Sequence, residues 1–90
     1  MNEGIIEKIK IVNKLGLHAR AAAKFVKMAV LYKSQVSLGN DTDTVDGKSI
    51  MDILLLAAEN GSQVTLHVAG EDQAEAFASL KALIEGGFGE

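Results

Sequence analysis

Apolar positions along this chain switch between strand-like and helix-like spacing, and each switch marks an element. From Ile5 to Val12, Ile9 and Ile11 share one parity and Lys8 and Lys10 the other, which predicts a half-buried strand. Asn13-Lys14-Leu15-Gly16 interrupts it. From Ala19 to Tyr32 the period lengthens. Ala22, Phe25, Val26, Ala29 and Tyr32 recur at helical spacing, and a run of alanines adds helix propensity. Arg20, Lys24 and Lys27 fall on a different face of that helix. Gln35 to Gly39 reads as a short strand with Val36 and Leu38 inward, Asn40-Asp41 as a turn, and Thr42 to Asp46 as the returning strand. After the break at Asp46-Gly47-Lys48, a helix is expected from Ile50 to Ala58, stopped by Asn60-Gly61. Ser62 to Ala69 alternates, with Val64, Leu66 and Val68 inward and His67 outward. Glu71-Asp72 suits a helix start, and Ala74, Phe77, Leu80 and Ile84 form the stripe of a last helix. Residues 86–90 read as a flexible tail.

The expected order is β-α-β-β-α-β-α, which short connections fold into two layers, a sheet with helices on one face. Pattern alone leaves the strand order open, and a split β-α-β ferredoxin-like arrangement fits the same string. Ninety residues suffice for one domain, residues 1–90, and not for two cores. With 48% apolar and 23% charged residues the chain is neither a disordered tail nor a linker. It has no cysteine, so disulfides and thiolate metal sites are excluded. A net charge of −3, and only Phe25, Tyr32, Phe77 and Phe88 as aromatics, argue against nucleic acid as a partner. Charges interrupt the N-terminal apolar residues, which is no signal peptide, and the longest apolar run, Ile53 to Ala58, is far too short for membrane insertion. A cytoplasmic module is expected.

His18 stands where the first loop meets the first helix. The first N–H groups of a helix lack intrahelical partners and carry the positive end of its dipole, a combination that binds anions. Arg20 could hold the same anion bidentately. The helix end and Arg20 both disfavour the imidazolium, which leaves a neutral ring nitrogen as a nucleophile. A phosphoryl group is the anion such a site could accept covalently. The bland alternative is a histidine that merely caps the helix or sits on a surface turn.

Gly47-Lys48-Ser49 invites a phosphate-loop reading and fails it, because the glycine required five residues before Gly47 is Thr42. Ser49 followed by Asp52 suffices as a capping box. The functional alternative is a phosphorylatable hydroxyl that adds surface charge without unfolding the helix. Ile50, Met51, Ile53, Leu54, Leu55 and Leu56 are apolar on nearly every side. Either that helix is deeply packed or part of it meets a partner.

Together, Gly16-Leu17-His18-Ala19-Arg20 followed by alanines, and Asp46-Gly47-Lys48-Ser49-Ile50-Met51 some thirty residues later, resemble the HPr family. These are the histidine-containing phosphocarriers of the bacterial phosphoenolpyruvate-dependent phosphotransferase system. The resemblance runs from about Ile5 to Ile84 and implies an α+β, HPr-like open-faced β-sandwich: a four-stranded antiparallel sheet in order 1-4-2-3 covered on one face by three helices. It implies that His18 takes a phosphoryl group on Nδ1 from phosphorylated enzyme I and passes it to enzyme IIA domains, with Arg20 stabilising the phosphate. Ser49 matches the regulatory serine phosphorylated by an HPr kinase/phosphorylase. The partner-binding set would be Leu17, Ala19, Arg20, Lys24, Lys27, Lys48, Ile50 and Met51. Such a protein is a monomeric carrier in sugar transport, not an enzyme, and uses no metal or cofactor. Two positions depart from the family pattern: Ala21 replaces the usual proline after the arginine, and Asp52 stands where glycine or lysine is common.

Overall fold

A computed structural model describes residues 4–90. Met1, Asn2 and Glu3, part of the N-terminal stretch judged unlike a signal peptide, lie outside the described residues. The elements are β1 (Ile5–Lys10), α1 (Ala19–Ala29), β2 (Gln35–Gly39), β3 (Thr44–Asp46), α2 (Ile50–Leu55), β4 (Gln63–Ala69) and α3 (Gln73–Glu85). All strand pairs are antiparallel, in the order β1-β4-β2-β3, which is the order the resemblance implied. Because β1 and β2 both run against β4, they are parallel to each other on its two sides, with α1 crossing between them.

Alternation does what the sequence suggested. Ile9, Ile11, Val36, Leu38, Val64, Leu66 and Val68 are buried together against Ala22, Phe25 and Ala29 of α1, Ile53 of α2, and Ala76, Phe77, Leu80 and Ile84 of α3. In the register Ile9 lies opposite Val64 and Leu66 opposite Leu38, and Ile5, Val68 and Val36 form one row across three strands. Lys8 and Lys10 are exposed, and His67 is half-buried on the other side of the sheet.

Several boundaries differ from expectation, each for a local reason. Helix α1 closes at Ala29 instead of Tyr32, because the amides of Leu31 and Tyr32 turn back to carbonyls three residues earlier. Helix α2 ends at Leu55 and not at Asn60-Gly61. Ala57 already adopts a left-handed conformation, with φ 49°. The following residues are committed elsewhere: the Ala58 carbonyl accepts from Leu17 N–H at 2.9 Å, and Asn60 Nδ2 donates to the carbonyls of Val12 and Asn13. On α3, Ala74 is exposed and Ala76 takes its place in the core.

The segment 86–90, expected to be a flexible tail, is packed. Gly87–Gly89 forms a 3-10 turn and Phe88 is only 1% exposed. Glycines on both sides of Phe88 have positive φ, a conformation that folds the segment back across the start of α1.

Candidate functional site

The loop before α1 is fixed by contacts of its own backbone. Gly16 has φ +67°, and a Cβ there would lie 2.4 Å from the Ala58 carbonyl oxygen, so only glycine fits. Asn13, itself buried, donates from Nδ2 to the Gly16 carbonyl at 2.7 Å. Leu17 follows with its amide on Ala58 and its side chain in the core, 4% exposed. The expectation that Leu17 contacts partners is therefore corrected: its side chain anchors the loop from beneath.

This anchoring delivers His18 to the N-cap position of α1 in an extended conformation, φ −76° and ψ 178°. Its carbonyl accepts the first helical bond, from Ala22 N–H at 2.9 Å. The N–H groups of Ala19, Arg20 and Ala21 precede that bond and have no intrahelical acceptor, and no side chain of the N-cap residue caps them. The bland reading of His18 as a side-chain cap therefore does not describe the geometry. The imidazole is neither buried nor free; its side chain is 23% exposed.

What faces the ring was not anticipated. Both carboxylate oxygens of Glu90 lie 2.8 Å from His18 Nε2. Oε2 of the same carboxylate is 3.4 Å from Arg20 Nε, and Asn13 Nδ2 donates to Oε1 at 3.2 Å. The hydrogen bond from His18 holds the Glu90 carboxyl below the usual carboxylate range; desolvation opposes this, while Asn13 and Arg20 add to it. An ionised carboxylate only accepts, so Nε2 is the ring nitrogen that carries a hydrogen. Glu90 is brought there by Phe88, and a lone large apolar residue among glycines was the available sequence signal. Lys24, expected to join an exposed basic stripe with Arg20 and Lys27, instead donates from Nζ to the Phe88 carbonyl at 2.8 Å. Arg20 and Lys27 remain exposed, as does Ala19.

The second expected site lies on α2. Ser49 is its N-cap, and Oγ accepts from Asp52 N–H at 3.2 Å. The box is one-sided, since Ser49 N–H donates to the Asp46 carbonyl. Helix α2 is not deeply packed: Ile53 and Leu56 are buried, while Met51 and Leu55 are 77% and 78% exposed and Ile50 and Leu54 are partly so. Lys48 sends Nζ to the Tyr32 carbonyl at 2.8 Å, which ties the start of α2 to the turn after α1. Among the described residues, no hydrogen bond or ion pair joins Ser49 to His18 or Arg20, and no group of three or more side chains is arranged to hold a metal. No described helix is long and apolar enough to cross a membrane.

A family model described as "PTS HPr component phosphorylation site" matches residues 5–86. The phosphocarrier protein HPr of Neisseria meningitidis serogroup A is 48% identical over 84 residues, covering 93% of this chain and 94% of that one. That of Pseudomonas aeruginosa is 51% identical over 84 residues, covering 92% and 93%. Among solved structures, an HPr from Thermoanaerobacter tengcongensis superposes with a TM-score of 0.91 at 44% identity, covering 96% of this chain and 97% of that one. The phosphocarrier protein HPr of Bacillus anthracis gives 0.87 at 36% identity, covering 92% and 99%.

Proposed function

The chain belongs to the HPr family, the phosphocarrier proteins of the phosphotransferase system, and on that premise we propose that His18 is the residue that carries the phosphoryl group. A phosphocarrier passes its group on and has no turnover of its own. The observation that carries the assignment is a half-exposed imidazole at the N-cap of α1, beside Arg20 and three amides that no side chain of its own caps. In our reading the donor is the phosphohistidine of enzyme I and the acceptor an enzyme IIA domain. The lone pair of His18 Nδ1 attacks phosphorus in line. The N–P bond of the donor breaks, and its electron pair returns to the donor ring. Charge spreads over the equatorial oxygens, where the amides and the Arg20 guanidinium can stabilise it.

Arg20, Lys27, Ile50 and Met51 supply the exposed basic and apolar contacts for these partners, with Ala19 between them. Lys48 belongs to this surface only through its stem, because its ammonium is held by Tyr32. Ser49 is the site for a kinase of the HPr kinase/phosphorylase type. A phosphate on Oγ sits at a helix start, and its charge disfavours the acidic partner surface that the basic residues attract. We read the protein as a cytoplasmic monomer. Its edge strand β1 carries Glu7, Lys8 and Lys10, and the other edge, β3, is only three residues long, both of which blunt pairing between copies.

The test is incubation with enzyme I and labelled phosphoenolpyruvate. The protein takes up one acid-labile label, His18→Ala takes up none with unchanged circular dichroism, and Arg20→Ala is labelled more slowly. Labelling of His18→Ala would remove the assignment.

A further inference from the structure

We propose that the groove between α1 and α3 is a docking site for an acidic, amphipathic helix of a partner protein, on the opposite flank of α1 from Ile50 and Met51.

Helix α1 and the turn after it carry Arg20, Lys24 and Lys27 and no carboxylate, although the chain as a whole has a net charge of −3. Residues 20, 24, 27, 28 and 31 recur at helical spacing, which gives this stretch a second stripe beside the buried one of Ala22, Phe25 and Ala29. The stripe is basic at its His18 end and apolar at its far end. There Lys24, Lys27, Met28 and Leu31 face Leu83 of α3 across a shallow groove of about 460 Å³. Leu31 is 77% exposed, while Met28 and Leu83 rest on the core with one side still open. Helix α1 packs against α2 on one flank and α3 on the other, so an occupant of the groove leaves Ile50 and Met51 uncovered.

The groove cannot close over these side chains. Lys24 Nζ donates to the Phe88 carbonyl at 2.8 Å, and the Tyr32 and Ser79 hydroxyls are 2.8 Å apart. These two bonds clasp the helices together on either side of Met28 and Leu31. The spacing of the walls is set before anything binds, which lowers the ordering cost of docking.

Charge and shape select the occupant. The Lys24 ammonium is taken by Phe88, and among the described residues Lys27 makes no ion pair, so Lys27 is the cation beside the apolar floor that is open to a carboxylate. A helix laid in such a trough seats its apolar face on Met28, Leu31 and Leu83, and acidic residues flanking that face reach Lys27 and, further along, Arg20. An anionic membrane fits less well. Attraction to a lipid surface takes a cluster of about four to eight basic residues, and on this stripe only Arg20 and Lys27 are exposed. A second copy would have to offer its own Met51 and Leu55, and that contact would join copies head to tail without closing.

The test titrates the full chain, 15N-labelled, with a synthetic helical peptide of about 14 residues that has leucine on one face and glutamate on both flanks of it. Amide resonances of residues 24–31 and 79–87 should move, and those of Ile50 and Met51 should not. Leu31→Glu should abolish these shifts, and Lys27→Glu should weaken binding about tenfold. Both variants should keep the parent's circular dichroism, because both side chains are exposed. Enzyme I should phosphorylate Leu31→Glu at the parent rate. The proposal is overturned if the peptide moves no groove resonance at about 1 mM or moves those of Ile50 and Met51 instead. It is equally overturned if a peptide with lysine in place of glutamate binds as well, or if Leu31→Glu binds like the parent. Slowed phosphorylation of Leu31→Glu would place the groove within the phosphotransfer surface and also overturn it. So would self-association of the parent through Leu31 in sedimentation, or groove shifts produced by phosphatidylglycerol vesicles and not by the peptide.

Discussion

Phe88→Ala removes the side chain on which the C-terminal segment hangs. Phe88 is 1% exposed, and burying a phenylalanine is worth about 1.5–3 kcal/mol by transfer alone. In a closed core the same truncation costs about 3–5 kcal/mol, because a cavity is left behind. Here the upper figure does not apply. Gly87 to Glu90 is a short flap beyond α3 and can peel away locally instead of holding a void open. Peeling also relieves the left-handed backbone at Phe88, φ 58°, which costs a residue with a Cβ about 1–2 kcal/mol. The expected loss is therefore about 2 kcal/mol, the transfer part only. In a domain of this size that lowers Tm by about 8–16 °C. Urea and thermal unfolding followed by circular dichroism measure it, and amide exchange should show the flap opening at far lower free energy than the core elements. A loss below about 0.5 kcal/mol, with unaltered exchange there, would refute the argument that burial of Phe88 holds the segment in place.

Two further outcomes test the helix cap and the α3 anchor. Ser49→Ala removes the acceptor for Asp52 N–H and should cost about 1 kcal/mol in urea unfolding, whereas Ser49→Asp keeps an acceptor, stays near parental stability, and slows phosphorylation of His18; equal stability for all three proteins would show that the cap is idle. Asp72 does not cap α3; hydrogen bonds from the Ser34 side chain and from the amides of Lys33 and Ser34 hold its carboxyl below the ordinary range, so its contribution is present above the unfolded value, near pH 4, and is lost as pH falls through the lower folded value. Asp72→Asn should therefore be less stable than the parent at neutral pH, with the gap closing in acid; a gap independent of pH would contradict the linkage.

Much of the fold was legible because one buried face imposes a period on each element. Val64, Leu66 and Val68 alternate because β4 is an inner strand covered on one face, and Phe25 and Ala29 keep a helical spacing because one side of α1 meets that same core. The end of α2 was not legible. Ala57 carries no turn preference, and its left-handed backbone follows from Ala58 serving Leu17, a partner far along the chain. Leu17 was misread for a related reason: next to His18 in sequence, it points the opposite way once its amide is bound. Of the site, the N-cap geometry of His18 and the position of Arg20 followed from local spacing. Glu90 did not, because its contact with His18 spans 72 residues and depends on Phe88 being buried first.

The bond between Leu17 and Ala58, with Asn60 reaching back to Val12 and Asn13, ties the approach to α1 to the exit from α2. The offset between the two surfaces proposed to meet a partner is thus settled during folding. A short-lived encounter need not wait for these loops to find each other, and little ordering entropy is left for the visitor to supply. A carrier that serves several customers in turn can then offer each of them the same rigid face.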